Sequence, residues 1–506
     1  MRNRLIFTCV LLVLCVILGL VYALVILPEP EDPEATAVTT AELLPGEVEG
    51  TMGRIQMFDY VKSEDVDSLY VKNENGEYRI VRKDKSLVID GYEHLLLDQE
   101  KLIQMIVNAG YTLSTFSSSI DAADYGKYGL GDGNYKAYFV LRTVAGKRYT
   151  VYIGDRALDG KGYYARFEGR DAIYILDNTI ERDLLGSVEY LVRPLLAYPS
   201  QMNTYYLVQN FTLLHGEELF LAANYLNPDK RSELAAMSVH QLTHPGEYYA
   251  GEYYDDVLTL FCDFKGSATV AIDLDEETLA SYGLLQPAYS LYFENVVLDD
   301  DGNVSGTVPN MLSISERKQD ESGAYYHYVA SATFGIIARM EAIMLDFLTW
   351  DLDKWVSSNI FQVNIMNVSS LRFETDDLFV TFELRGKDND SLTVTERETG
   401  HSPEMKNFRQ LWKVLLTVTQ DGSVDLSEED LAALVADESN LLLTLTVTTR
   451  SGNVREYKFY PYTDRRVFYT VNGEGEFYLS NTLLYKAIED AKRVMRDETV
   501  DPDSRY

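Results

Sequence analysis

The stretch Asp121-Ala-Ala-Asp-Tyr-Gly-Lys-Tyr-Gly-Leu130 sets the architecture, because it returns 154 residues later as Asp275-Glu-Glu-Thr-Leu-Ala-Ser-Tyr-Gly-Leu284. A third version, Ser427-Glu-Glu-Asp-Leu-Ala-Ala-Leu434, follows after another 152 residues without the Tyr-Gly-Leu ending. Each version opens with Asp or Ser, whose side chain accepts hydrogen bonds from free N–H groups in a first helical turn. Acidic residues come next, where they suit the positive end of the helix dipole. The spacing predicts three related units.

Other signals keep the same spacing around these capped segments. Gly146 stands 25 residues after Asp121, and Gly452 stands 25 residues after Ser427; each precedes an alternating run that is typical of a strand. A hairpin pattern precedes each capped segment, at Leu69–Ile80, Phe211–Leu221 and Leu371–Val380. These patterns predict an α+β fold in which each unit combines an antiparallel sheet with one or two helices.

We place the three α+β units at residues 56–190, 191–360 and 361–498, with a C-terminal tail at 499–506. From Ser480 onward, apolar residues recur at helical spacing, which predicts a final amphipathic helix packed on a sheet. A second apolar stripe could lie on a membrane, but its polar side is poor in Lys and Arg, so we expect it in the core. Its members are Ile336, Ile337, Met340, Ile343, Met344, Phe347 and Leu348.

Residues Leu5–Leu27 form a run of 23 without a charged side chain, long enough for a helix that crosses a bilayer. Arg2 and Arg4 precede the run and acidic residues follow it, so we expect a cytoplasmic N-terminus and an extracytoplasmic body. Residues 1–27 are therefore predicted to be a cytoplasmic stub and a transmembrane anchor, in a single-pass cell-membrane protein. A cleaved signal peptide is the alternative. The acidic, Pro-rich residues 28–55 are predicted to be an extended linker.

The composition limits the partners that the body can have. The formal net charge is −34 and the isoelectric point is near 4.5, so nucleic acid and anionic lipid headgroups are poor partners. This acidity is expected to keep an exposed body soluble; the alternative is a preference for cations or basic partners. A hydrophobic content of 46% argues against general disorder.

The number and positions of the cysteines argue against disulfide or thiol chemistry in the body. Cys9 and Cys15 lie inside the apolar run, so Cys262 is the only cysteine of the body and cannot form an intrachain disulfide there. Cys262 lies in the stretch Thr259–Phe264, which alternates like a strand. We expect a small buried hydrophobic residue rather than a reactive thiol.

Two groups of residues could bind a metal ion, and the sequence does not decide whether they do. His240 and His244 stand four residues apart, but Pro245-Gly246 stops a helix there and no Glu follows the first histidine. We interpret them as loop histidines. Asp299–Asp301 has the oxygen density of a calcium loop but departs from the EF-hand pattern, and we interpret it as a solvated hairpin tip.

The remaining motifs do not indicate catalysis. Gly129-Leu-Gly131-Asp-Gly133 follows a predicted helix and precedes a strand, the reverse of a phosphate-binding loop, so we expect a connecting turn. No nucleophile elbow or zinc-hydrolase motif is present, and we assign no catalytic, cofactor-binding or metal residues. Five tyrosine doublets could serve strands or form a binding surface. They are Tyr163-Tyr164, Tyr205-Tyr206, Tyr248-Tyr249, Tyr253-Tyr254 and Tyr325-Tyr326.

Several of these motifs resemble the repeating core of the domain of unknown function 4340 family. The resemblance is strongest in the first unit, at Tyr128-Gly-Leu, Tyr149-Thr-Val-Tyr-Ile-Gly-Asp, Gly162-Tyr-Tyr-Ala-Arg-Phe and Ala172-Ile-Tyr-Ile-Leu. It is partial in the third unit, at Lys458-Phe-Tyr-Pro-Tyr and Gly475-Glu-Phe-Tyr-Leu, and is reduced in the second to Tyr282-Gly-Leu and Tyr325-Tyr. These motifs are structural, so no site residues follow from them.

The resemblance implies a function that the residues alone do not. Such proteins typically carry one N-terminal anchor and are often encoded beside an ABC-type permease, its ATPase and a gliding-motility-type auxiliary subunit. We therefore expect a non-enzymatic accessory subunit of a bacterial ABC-type transport system, with the permease or an auxiliary ectodomain as partner and no cofactor. The alternatives are a surface protein that binds cell-wall glycan through its tyrosines, and a surface hydrolase that uses carboxylates or the His240/His244 pair.

Overall fold

A computed structural model of the protein describes residues 43–84, 86–199, 208–234, 238–436 and 438–503. The described chain divides into two compact units: the first runs to Glu93 and takes in Leu97–Leu191, and the second comprises His94–Leu96 and Val192 onward. The predicted anchor, Leu5–Leu27, lies outside the described residues. Among the residues that are described, no helix combines the length and apolar character needed to cross a membrane.

The first unit is built on an eight-stranded antiparallel sheet in the order β5-β4-β3-β8-β9-β10-β11-β7, with a small sheet β1-β2-β6 beside it. Its strands are β1 Val48–Glu49, β2 Ile55–Gln56, β3 Val66–Asn73, β4 Gly76–Lys83, β5 Ser86–Ile89, β6 Leu113–Ser114, β7 Phe116–Ser119, β8 Ala137–Thr143, β9 Arg148–Arg156, β10 Gly162–Phe167 and β11 Ala172–Asp177. Its helices are α1 Gln99–Gly110 and α2 Thr179–Asp183, with short 3-10 helices at Thr51–Gly53, Ser63–Asp65, Ala122–Tyr128 and Glu189–Leu191. The last residues of the segment 28–55 belong to this unit, since β1 pairs with β2.

Alternation along each strand gives the first sheet two different faces. On β3, Leu69 and Val71 are buried, whereas Tyr70 and Lys72 point the other way. Helix α1 packs against β3, β5 and β8 on the buried face, through residues such as Leu102 and Ile106. Burial of each such side chain contributes roughly 1.5–3 kcal/mol. The opposite face is only partly covered.

The second unit contains two further antiparallel sheets. The nine-stranded sheet has the order β14-β13-β12-β16-β17-β19-β20-β15, with β18 beside β19, and the eight-stranded sheet has the order β23-β22-β21-β25-β26-β27-β28-β24. The strands of the first are β12 Val208–His215, β13 Glu218–Tyr225, β14 His240–His244, β15 Ala268–Ala271, β16 Tyr289–Leu298, β17 Val304–Ile314, β18 Lys318–Gln319, β19 Tyr325–Ser331 and β20 Ile336–Glu341. Those of the second are β21 Val368–Glu374, β22 Phe379–Arg385, β23 Thr393–Glu396, β24 Gly422–Ser423, β25 Leu443–Thr449, β26 Val454–Thr463, β27 Arg466–Val471 and β28 Glu474–Ser480.

Helices cover these sheets and continue one core across both. They are α3 Pro228–Ser232, α4 Glu252–Phe261, α5 Glu276–Tyr282, α6 Leu352–Trp355, α7 Met405–Leu416, α8 Glu428–Ala436 and α9 Asn481–Met495, with 3-10 helices at Ala342–Thr349, Ile365–Asn367 and Glu438–Asn440. A single hydrophobic cluster includes Phe211 and Phe293 from the nine-stranded sheet and Phe373 and Phe459 from the eight-stranded one. The predicted α+β class and the final helix, which Ser480 caps, are confirmed.

The three large sheets share one strand order. When eight strands of each sheet are counted in chain order, leaving out β18, all three sheets are arranged 3-2-1-5-6-7-8-4. A helix lies between the third and fourth strands in each case, namely α1, α4 and α7. The hairpins predicted at Leu69–Ile80, Phe211–Leu221 and Leu371–Val380 are confirmed as the first two strands of each sheet.

The capped segments end in the same way in the first two sheets. Asp121 accepts a hydrogen bond from the Ala123 amide at 3.0 Å, and Asp275 accepts one from the Thr278 amide at 2.7 Å. Gly129 and Gly283 then adopt left-handed backbone conformations, with φ of 66° and 73°. This turn points the following leucine, Leu130 or Leu284, back into a buried cluster. The predicted caps, including Ser427 before α8, are confirmed.

Two local predictions are wrong. Cys262 does not lie in a strand, because Tyr254, Val257, Leu258 and Phe261 follow helical spacing and form α4, which ends just before the cysteine. The sulfhydryl is buried, as expected. The apolar stripe from Ile336 is a strand followed by a 3-10 helix, and two of its members are not in the core: Ile343 is 75% exposed and Met344 is 45% exposed.

Candidate interaction surfaces

The outward face of the first sheet carries a row of aromatic and basic side chains. Tyr138 on β8 lies directly opposite Tyr152 on β9, which in turn lies opposite Arg166 on β10. The two tyrosine rings are 5.8 Å apart between centroids, and the Arg166 guanidinium lies 4.5 Å from the Tyr152 ring. All three side chains are half-buried. Such a row offers π faces and a cation to a ligand at the same time.

Tyr70 extends this row toward the edge of the sheet. Its ring centroid is 5.7 Å from that of Tyr138, and its hydroxyl donates to Glu77 Oε2 at 2.7 Å. Burial and the hydrogen bond to Glu77 raise the pKa of the Tyr70 hydroxyl. Lys72 Nζ lies 3.1 Å from the same carboxylate. These contacts fix the ring orientation, so the aromatic surface is preorganised.

Three more arginines lie on the same face. Arg142 on β8 is directly opposite Arg148 on β9, and Arg79 donates to Ser68 Oγ at 3.2 Å. Arg148 lies 3.8 Å from Glu168, which is a long ion pair. Like charges directly opposite each other in a sheet destabilise the pairing. We call the set Tyr70, Lys72, Arg79, Tyr138, Arg142, Arg148, Tyr152 and Arg166 the basic–aromatic face.

The nine-stranded sheet carries a second tyrosine–arginine cluster. Tyr326 and Tyr328 lie 5.2 Å apart on β19, and the Arg339 guanidinium lies 4.2 Å from the Tyr326 ring. Arg339 also pairs with Asp320 at 2.5 Å. Hydrogen bonds from Ser322 and Arg339 hold the pKa of Asp320 well below its usual value. The hydrogen bond to Tyr326 raises the pKa of Tyr328 to about 12.

A third cluster lies on the eight-stranded sheet of the second unit. The rings of Tyr462 and Tyr478 are 5.7 Å apart, and the Arg466 guanidinium lies 4.4 Å from the Tyr478 ring. Tyr462 and Tyr478 are half-buried and Arg466 is exposed. Every large sheet therefore presents two neighbouring tyrosine rings with an arginine over one of them.

The tyrosine doublets have mixed roles. Tyr325-Tyr326 contributes to the second cluster, whereas Tyr254 and Tyr248 are buried in the core. Tyr164 packs edge-on against Tyr128, with ring centroids 4.8 Å apart, beside the first cluster. Tyr205-Tyr206 lies outside the described residues. The cluster tyrosines of the first and third sheets are not doublets, so the doublet pattern missed them; strand alternation read together with register would have found them.

The two histidines are in a strand, so their interpretation as loop residues is wrong. Both lie on β14, whose ladder with β13 runs from His240 to His244. His240 is fully buried, and burial lowers its pKa to about 4. Its neutral ring donates from Nε2 to the Val208 carbonyl at 2.7 Å. Among the described residues, no group of three or more His, Cys, Asp or Glu is arranged to hold a metal ion.

The other two candidate loops lie where the sequence places them. Asp299–Asp301 is the tip between β16 and β17, and Asp299 Oδ1 accepts from the amides of Asp301 and Asn303 at 3.0 and 2.8 Å. This carboxylate therefore closes its own turn. The glycine run that begins at Gly129 connects a 3-10 helix to β8, so the predicted hairpin tip and connecting turn are both confirmed.

A cleft of about 300 Å³ lies in the second unit, where α3 and β14 meet the eight-stranded sheet. Arg455 crosses it: the guanidinium lies 4.6 Å from the Tyr249 ring and donates to the Glu247 carbonyl at 3.0 Å. Lys230 and Glu233 also line the cleft. Since both signs of charge are present and Arg455 is engaged with the protein itself, we interpret the cleft as a packing seam.

Comparison with known proteins bears on the first unit. The sequence model of a family described as "Domain of unknown function (DUF4340)" matches residues 88–196. This span contains all four motifs on which the first-unit resemblance rests, whereas the weaker resemblances beyond it stay predictions. No curated protein and no solved structure matches the chain significantly. The segment that carries Tyr138, Tyr152 and Arg166 is therefore similar to the domain of unknown function 4340 family.

Proposed function

We propose that the chain is a non-enzymatic, membrane-tethered accessory subunit of a bacterial ABC-type transport system, which binds its partners through the three tyrosine–arginine clusters. The observation that carries the proposal is the recurrence of these clusters, each with ring centroids 5.2–5.8 Å apart and an arginine 4.2–4.5 Å from a ring. Half-exposed Tyr and Arg are the residue types that dominate protein recognition surfaces. The similarity of residues 88–196 to the domain of unknown function 4340 family supports the transport context.

The three large sheets are, in this proposal, copies of one ancestral unit. The shared order 3-2-1-5-6-7-8-4 and the matching caps at Asp121 and Asp275 support it. Copies of one unit offer similar surfaces several times, so a partner with matching sites gains affinity from multivalency.

The anchor at Leu5–Leu27 would confine these surfaces to the outer side of the membrane. Confinement raises their effective concentration at the mouth of a transporter without any new contact. The acidic residues of the spacer would let the body reach beyond the headgroups. The permease, an auxiliary ectodomain or the exported cargo would then be the binding partner.

Purification from mildly solubilised membranes tests the proposal. We expect the full-length chain to bring an ABC permease with it, and a variant with Tyr326→Ala and Tyr328→Ala to bring less. Tyr485→Ala is the matched control, because Tyr485 is 46% exposed and belongs to none of the clusters. Recovery of the intact chain without any transporter component would overturn the proposal.

The glycan-binding alternative keeps one specific observation in its favour. The Tyr70, Tyr138 and Tyr152 rings follow each other across three neighbouring strands, with centroid separations of 5.7 and 5.8 Å. Such a series can stack on successive sugar rings. Pelleting of the full-length protein with purified cell wall, absent in a Tyr138→Ala/Tyr152→Ala variant, would favour this function if no permease co-purifies with the chain.

A further inference from the structure

The basic–aromatic face has a charge opposite to that of the chain. The sequence contains 79 acidic and 45 basic residues, with a formal net charge of −34. On this face, however, Lys72, Arg79, Arg142, Arg148 and Arg166 stand against few carboxylates. Three carboxylates lie beside these five cations: Glu77 pairs with Lys72, Asp132 accepts a hydrogen bond from Arg166 at 3.0 Å, and Glu168 lies 3.8 Å from Arg148. A local excess of positive charge on an acidic protein indicates a specific anionic ligand.

The two arginines that lie opposite each other on β8 and β9 favour an anionic group between them. Arg142 and Arg148 are directly cross-strand, an arrangement that costs stability in the free protein. Among the described residues, the Arg142 side chain makes no ion pair and no hydrogen bond. An anionic group between the two guanidinium groups would remove the repulsion and could accept several charge-assisted hydrogen bonds. The pair is therefore poised for a carboxylate, sulfate or phosphate group.

The positions of the tyrosines indicate which type of ligand carries the anionic group. Tyr138 and Arg142 are four residues apart on β8, so their side chains project about 13 Å apart along the same face. A ligand that touches both must be extended. An extended peptide would find side chains here rather than the backbone edge that it needs for its own hydrogen bonds. A sugar chain keeps its hydroxyl groups in water while its rings stack on Tyr138 and Tyr152.

We propose that the basic–aromatic face binds an anionic polysaccharide, with Tyr138 and Tyr152 stacking on sugar rings and Arg142 and Arg148 binding an acidic substituent. The inference rests on the proposed function, since it assigns a ligand class to the first of the three clusters. The ligand is then the cargo or the surface matrix with which the tethered body works.

Binding of defined polymers to the full-length chain in detergent tests the inference. Polygalacturonate is the anionic polysaccharide, dextran is the neutral one and polyglutamate is the acidic peptide. We expect polygalacturonate to bind most tightly and to bind less tightly as salt is added. Arg142→Gln/Arg148→Gln should weaken it by about tenfold or more, and Tyr138→Ala/Tyr152→Ala by a similar factor. Arg385→Gln/Arg397→Gln, two arginines that share Glu383 on another sheet, should leave it unchanged.

Thermal unfolding gives a second readout that does not depend on the affinity assay. Polygalacturonate should raise the melting temperature of the natural sequence but not that of Arg142→Gln/Arg148→Gln, which should itself be at least as stable without ligand. Equal binding of polyglutamate or dextran, absent binding of all three, or unchanged binding in the arginine variant would each overturn the inference. If the permease still co-purifies in any of those cases, the proposed function survives and only the ligand class is wrong.

Discussion

Lys486 and Asp490 form an ion pair inside the second unit, with Nζ 2.9 Å from Oδ2 and side chains only 7% and 0% exposed. Both lie on α9, one helical turn apart, and Lys486 Nζ also donates to the Asp501 carbonyl at 2.8 Å. The pair therefore holds the end of the chain against the last helix.

Breaking this pair should be costly, because the Asp490 carboxylate would stay buried and lose its Lys486 partner. We expect Lys486→Met to lower the free energy of unfolding by about 3–5 kcal/mol. The double variant Lys486→Met/Asp490→Leu should recover much of that loss, since no charge is left in the core. Urea unfolding of the full-length protein measures both, and equal losses in the single and double variants would contradict the expectation.

Asp255 should make stability fall as the pH rises. Burial, with the Asp256 charge as a second cause, raises the pKa of Asp255 to about 7, and Oδ1 has no hydrogen-bond partner. The unfolded carboxyl titrates near 3.9, so the folded state alone keeps this proton between about pH 4 and pH 7. The protonated Asp255 carboxyl therefore makes its full contribution to the free energy of unfolding below about pH 4, and this contribution is lost as the pH rises from about 4 to 7. Asp255→Asn should remove this component and be more stable than the natural sequence at about pH 8, as melting temperatures would show.

His240 should act in the opposite direction. Its pKa is about 4 in the folded protein because burial disfavours the charged ring, whereas the unfolded value is about 6.5. The unfolded state therefore takes up a proton first, and stability that is complete above about pH 6.5 is lost as the pH falls toward 4. His240→Gln should flatten the melting temperature over that range. The exposed His94, changed to Gln, should leave the slope of the natural sequence intact.

The two Tyr-Gly-Leu glycines should differ in their tolerance of a side chain. Both need a left-handed backbone, which costs an alanine about 1–2 kcal/mol. A Cβ at Gly283 would meet no atom within 4 Å, whereas at Gly129 it would lie 2.9 Å from the Asp155 amide nitrogen and 2.7 Å from its side chain. Gly129→Ala should therefore destabilise by clearly more than Gly283→Ala in chemical unfolding. Equal losses would show that the Asp155 strand end moves freely.

Local sequence patterns predict much of this fold. The caps at Asp121, Asp275 and Ser427 and the three hairpins follow from side-chain hydrogen bonding and strand alternation, which act within about a dozen residues. Prediction from a short window fails at Cys262. The six residues Thr259–Phe264 alternate like a strand but also fit the end of a helix, and the helical spacing of apolar residues from Tyr254 onward identifies the helix. Tertiary packing of the apolar side chains, rather than the local preference of this segment, therefore determines that it is helical.

The candidate surfaces could not be predicted in the same way. Tyr138, Tyr152 and Arg166 are 14 residues apart in each step, and only the register of β8, β9 and β10 brings them together. The register depends on turn geometry and on which face is buried, so a pattern within one strand does not contain it. His240 was misplaced for a related reason, because β14 is defined by its partner β13.

The position of the fourth strand in each sheet has a consequence for how the protein emerges from the ribosome. β7 is made before β8, yet its neighbour in the sheet is β11, and the same holds for β15 with β20 and β24 with β28. Each of these short strands lacks its partner strand until about fifty to seventy further residues have been synthesised. Sheet closure is thus the last event in every third of the nascent chain, and a pause in translation at those points would prolong the exposure of an open edge.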